Sequence, residues 1–99
     1  MMELNITSRN HALSDFLHDY IQKRTSKLDK YVHGDGSVHV VLEREEDGPQ
    51  VVDITLHAWH KVMHAREEGD KVRDCIDKAV AKIETQIRKH KEKTTEKRP

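Results

Sequence analysis

The chain has 99 residues, 34% hydrophobic and 36% charged, with 18 basic and 18 acidic side chains and a formal net charge of zero. That length bounds the molecule at one small domain with one core, and so low an apolar content bounds the core at one sheet covered on one face. A single cysteine, Cys75, excludes an internal disulfide framework and suits a reducing compartment; no segment reads as a signal peptide or reaches membrane-spanning length, so the expected location is the cytoplasm.

Met2, Leu4 and Ile6 alternate with Glu3, Asn5 and Thr7, which predicts a half-buried first strand. Residues 8–13 form a connection. Ser14 can cap a helix and Asp15 suits its positive end, so a helix begins there, with Leu17, Tyr20, Ile21, Leu28 and Tyr31 as its core face. His33-Gly34-Asp35-Gly36 stops it. Val38, Val40 and Leu42 define a second strand, Glu45 to Pro49 a turn, and Val52, Ile54, Leu56 and Ala58 a third strand. Trp59-His60 makes a tight connection to a short fourth strand, Val62 to Arg66, with Met63 and Ala65 inward. Glu68-Gly69-Asp70 leads into a long helix.

That helix carries apolar residues at Val72, Ile76, Ala79, Val80, Ile83, Ile87 and His90, one helical face. On an ideal wheel Lys78, Lys82, Thr85, Lys89 and Lys93 share a second face. Lysines at one-turn intervals suit a polyanion with regularly spaced charge, such as an RNA backbone. The zero net charge hides a segregated distribution. Residues 78–98 hold eight basic and three acidic residues, residues 22–31 four basic and one acidic, and residues 43–53 one basic and five acidic. A local field steers ligands although the total cancels. The second basic cluster includes Arg24, Lys27 and Lys30.

The order β-α-β-β-β-α requires a crossover after the first strand, so strands one and two are expected parallel and the later pairs antiparallel. The fold class is therefore α/β (α+β): a single domain with a four-stranded mixed sheet and two helices packed on one face. Residues 94–99 are polar and expected to fray.

Leu4-Asn5-Ile6-Thr7 at the start, Lys27-Leu28-x-x-Tyr31, Asp53-x-Thr55-Leu56-His57, His64-Ala65, Glu68-Gly69, Ile76-Asp77 and Gln86-Ile87-x-Lys89-His90-Lys91-x-Lys93 together, in this order and spacing, resemble the short form of the ribosome hibernation promoting factor family, which includes the ribosome-associated inhibitor proteins. The resemblance spans nearly the full length and assigns residues 1–93 to the ribosome-binding domain. It implies a fold similar to double-stranded RNA-binding domains, binding to the small ribosomal subunit and its rRNA in the mRNA and tRNA channel, and translation inhibition that holds ribosomes inactive. Some members also promote ribosome dimers. By position it implies Arg24 and Lys27 on the first helix, and Lys82, Lys89, Lys91 and Lys93 on the second, as RNA-facing; Lys30 and Lys78 join them from the charge pattern. It implies no enzyme activity, cofactor, small-molecule substrate or membrane partner, and a monomer off the ribosome. The long-form members' dimerising domain has no counterpart here, so pairing ribosomes would need a second factor or a reshaped subunit.

Two positions depart from the family. Arg73 stands where an aromatic is usual, and could reach a phosphate or stack on a base. Thr25 stands where a leucine is common, which weakens the first helix's core face. The main alternative is a generic double-stranded RNA-binding domain.

A different class is a histidine-based metal protein. Eight histidines occur, and His39, His57 and His64 are expected on the open sheet face, within reach of one zinc if the register allows. No CxxC or HExxH motif supports that, and no Ser-His-Asp order or glycine-rich phosphate loop supports catalysis. Trp59 is read as a cover over a core edge, with base stacking as the alternative. Cys75, at the edge of the apolar stripe, is read as packing.

Overall fold

Six segments whose apolar period matches their geometry make up the chain: β1 (Glu3–Arg9), α1 (Asp15–Val32), β2 (Ser37–Arg44), β3 (Gln50–Ala58), β4 (Lys61–Gly69) and α2 (Val72–Glu96). The computed structural model describes residues 2–9, 13–32, 36–44 and 46–96, with side chains as far as His90. The order is the one expected, and the sheet runs β1-β2-β3-β4 with β1 and β2 parallel and the other pairs antiparallel.

Register places the alternating apolar residues in continuous rows. Ile6, Val40, Ile54 and Ala65 lie side by side, as do Leu4, Val38, Leu56 and Met63. All of these except the half-buried Leu4 and Ile6 are buried. The row between them on the opposite face reads Asn5, His39, Thr55, His64. A one-residue slip would exchange the two faces, so burial of the first set specifies the register. The helices cover only that face. α2 buries Cys75, Ile76, Ala79, Val80, Ile83 and Ile87 against it, and α1 buries Leu17, Ile21, Thr25, Leu28 and Val32. Each fully buried large aliphatic contributes about 1.5–3 kcal/mol.

The local signals act as their chemistry requires. Ser14 Oγ accepts from the Leu17 amide at 3.1 Å, capping α1. The stop read at His33-Gly34-Asp35 lies outside the described residues, as does Glu45. Gly36 is described, and a Cβ there would stand 2.8 Å from the His57 carbonyl oxygen and 2.9 Å from Val32 Cγ1. Only glycine permits that approach of β2's start to α1 and β3.

The structure amends the expected boundaries and the core face of α1. β1 reaches Arg9, β4 extends from Lys61 to Gly69, and the α2 backbone continues to Glu96. Tyr20 and Tyr31 are half-buried, while Thr25 and Val32 take core positions. Thr25 fits because its hydroxyl donates back to the Ile21 carbonyl at 2.8 Å, leaving its methyl for the core. The β3–β4 turn is the tight two-residue connection expected, but Trp59 and His60 both hold left-handed backbone, at φ 52° and 57°. This type of turn is normally filled by Asn-Gly, and a side chain in that region costs about 1–2 kcal/mol per residue.

Candidate nucleic-acid interface

Lys78, Lys82 and Lys89 recur at spacings of one and two helical turns, so they lie along one flank of α2. All three are exposed. This flank runs beside β4. Gln86 Nε2 donates to the His64 carbonyl at 2.8 Å, and Lys82 Nζ to the Arg66 carbonyl at 3.4 Å. Lys82 is also ion-paired with Glu67. These side chains cover outward-facing carbonyls of the edge strand, which blunts edge-to-edge pairing. The lysine row therefore stands on a flank anchored to the sheet.

The opposite flank of α2 faces α1. Tyr20 Oη donates to Asp77 Oδ1 at 2.7 Å, and Tyr31 Oη to Glu84 Oε2 at 3.4 Å. Arg24 Nε lies 2.9 Å from the same Asp77 oxygen, with its N–H not aimed along the line, so this contact is coulombic. The Asp77 bond and partial burial hold the Tyr20 phenol above its ordinary range. Arg73 extends over the ring of Phe16, 5.7 Å from its centroid.

The eight candidate cations thus divide. Lys27 and Lys30 are exposed on α1, and Lys78 and Lys89 on α2, and no ion pair among the described residues engages any of the four. Lys82 is exposed but shared with Glu67. Arg24 is drawn into the α1–α2 seam by Asp77. The backbones of Lys91 and Lys93 continue α2, and their side chains lie outside the described residues. Cations stand on both helices, but the α2 lysine row lies on the β4 flank while Asp77 and Glu84 occupy the seam toward α1, so the candidates do not form one unbroken stripe. Arg88 and Lys61 are exposed cations that the wheel argument passed over. Arg88 falls off the lysine line, and Lys61 lies in the hairpin, whose proximity to α2 no periodicity reveals.

On the open face His39, His57 and His64 are exposed, as expected. Their partners separate them: His39 Nε2 meets Thr7 Oγ1 at 2.8 Å, and His64 Nε2 pairs with Asp53. Among the described residues no three ligating side chains converge on one point. Cys75 is buried, and desolvation, with Glu67 nearby, pushes its thiol up. The thiol stays protonated and packs, in line with its sequence reading.

Fold and surface together define a class: a small two-layer α/β domain that presents a cationic helical layer. Its family follows from comparison. The sequence model described as Sigma 54 modulation protein / S30EA ribosomal protein matches residues 4–95, and the chain belongs to that family. It is 34% identical over 92 residues to the ribosome hibernation promoting factor of Escherichia coli K12, covering 93% of this chain and 96% of that one. The ribosome hibernation promoting factor of Klebsiella oxytoca is 33% identical over the same coverage. The Thermus thermophilus Protein Y N-terminal domain superposes with a TM-score of 0.79 at 28% identity, covering 91% of this chain and 99% of that domain. Family membership makes ribosome-associated translation inhibition the coarse function. No described helix is long and apolar enough to cross a membrane.

Proposed function

We propose that the chain docks its helical layer on rRNA of the small ribosomal subunit, in the channel used by mRNA and tRNA, and keeps ribosomes inactive by occupying it. The observation that carries this reading is the exposed row Lys78, Lys82 and Lys89 on a flank of α2 pinned to β4. Lysine is a point charge, so these contacts position the protein on phosphates and carry no base code. Lys27 and Lys30 on α1 extend the contact, and Lys91 and Lys93 continue it along α2. Inhibition is steric and electrostatic. It needs no cofactor and no small-molecule substrate, acts in the cytoplasm, and is delivered by a protein monomeric off the ribosome. Promotion of ribosome dimers is the secondary reading.

The test is cosedimentation with purified small subunits across a salt series. Replacing Lys78, Lys82 and Lys89 together by Gln is expected to weaken association strongly, and to reduce the salt slope by about two to three, while the melting transition survives. Unchanged cosedimentation at low salt overturns the reading. The two-helix, one-sheet layout also favours a generic duplex-binding domain as second reading. Free duplex RNA that competes as well as small subunits would establish it. Gradient profiles with added protein show whether dimers accumulate.

A further inference from the structure

The β3–β4 hairpin tip holds a site outside the lysine rows. Trp59 and His60 occupy the two turn positions with positive φ, where asparagine and glycine would sit without strain. Backbone strain of this kind marks positions whose side chains are needed. The surroundings show what they do. The Trp59 ring stacks on His90 of α2, with centroids 5.0 Å apart and planes 20° from parallel. The indole is half-buried and packs against the core cluster, as its sequence reading expects. Beside it opens a cleft of about 650 Å³ whose described lining includes Gly36, His57, Trp59, His60, Lys61 and Val62. Clefts of this size accept small organic groups.

Three properties identify the occupant. Among the described residues lining the cleft, none carries a carboxylate, while Lys61, His57 and His60 bring a cation and imidazole nitrogens. Val62, across from His57 in the β3–β4 register, is 58% exposed, which gives the cleft an apolar wall. The stack on His90 ties the indole to the basic C-terminal half of α2, next to Lys89. An aromatic surface with an apolar wall, a cationic rim and no carboxylate among its described lining residues suits a flat, hydrogen-bonding group attached to phosphate.

We propose that this cleft binds an unpaired RNA nucleobase together with its adjoining phosphate. The base lies against Trp59 and Val62, and Lys61 with His60 engages the phosphate. This rests on the RNA-docking reading of the helical layer and adds to it. The lysine rows supply salt-sensitive contact to phosphates alone, whereas the cleft supplies a stacking contact that is largely salt-insensitive and needs an unstacked base.

Trp59 is the only tryptophan, so its fluorescence reports the site directly. The full chain is titrated with a labelled oligoadenylate RNA and with an abasic oligomer of equal length, following label anisotropy and indole emission together. The expected result is that both bind and only the base-bearing RNA quenches Trp59. Trp59→Asn with His60→Gly suits the turn, which offsets the lost indole packing, and is expected to keep a cooperative melting transition while weakening oligoadenylate binding about tenfold, with a salt slope that falls by less than about one because Lys61 is retained. Equal quenching by the abasic oligomer, binding without quenching, or full affinity in the double variant overturns the cleft proposal. Weakened binding to small subunits with undiminished oligoadenylate binding also overturns it, in favour of a protein contact. Absence of any binding to oligoadenylate or small subunits overturns the docking reading itself, an outcome distinct from the others.

Discussion

Asp77 shows how one carboxylate can redirect the meaning of its neighbours. It accepts from Tyr20 Oη at 2.7 Å and stands 2.9 Å from Arg24 Nε, so a cation that the family resemblance assigns to RNA and a phenol that periodicity assigns to the core meet at the helix seam. Tyr20→Phe is expected to cost about 1 kcal/mol in urea unfolding at neutral pH. The Tyr20 pKa lies above its ordinary value near 10, chiefly because its proton is held by Asp77. The folded state therefore binds that proton more tightly than the unfolded chain does. This stabilisation is fully present below the unfolded value and fades as pH rises through the folded one. The stability gap between wild type and Tyr20→Phe should stay constant from neutral pH to the edge of the alkaline range and then close. A gap that changes between neutral pH and that edge contradicts the assignment.

Elements form where local chemistry and burial agree. α1 begins where Ser14 Oγ accepts the Leu17 amide, and that cap satisfies one of the orphan donors at the helix start. Ser14→Ala should lower stability by about 1 kcal/mol, read as a reduced urea midpoint with an unchanged slope. The β3–β4 hairpin is the opposite case. Its turn residues, Trp59 and His60, disagree with the local geometry, and the hairpin forms because the surrounding rows of Ile54 with Ala65 and Leu56 with Met63 are buried. Tertiary burial overrides turn preference there, and the extra length of β4, as far as Gly69, comes from the same pairing. The sequence predicts a fourth strand only from Val62 to Arg66, with Glu68 already in the lead into α2. Pairing with Val52 and Val51 keeps Glu67 and Glu68 in the strand, and Glu67 gains Lys82 as a partner.

Across the whole molecule, charge is sorted by the packing of α1 against α2. Arg24 and Lys27 lie less than one turn apart on α1, yet the first has a side chain 31% exposed and paired while the second is exposed without an ion-pair partner among the described residues. Arg24→Gln is expected to act on the fold, lowering the melting temperature, with a small effect on ribosome association. Lys27→Gln is expected to do the reverse, leaving the melt unchanged and reducing the salt slope of cosedimentation by about one. The two variants measured side by side separate a seam cation from a docking cation, and equal effects on both readouts would contradict the division.

By itself, the sequence determined the element order, the parallel and antiparallel pairing and which face of the sheet is wet. Those depend on apolar period and crossover geometry, which are local in the chain. It also carried the family, because motif order and spacing survive without coordinates. What only tertiary structure decided is which cations remain free and which are held. Arg24 with Asp77, Lys82 with Glu67 and Trp59 with His90 join residues distant in sequence. A helical wheel places each residue around its own axis, but it holds no information about the charge or ring that a neighbouring element brings within a few ångströms. Coulomb and stacking forces act over that short distance, so the pattern of exposed and paired cations takes its final form only when the helices settle on the sheet.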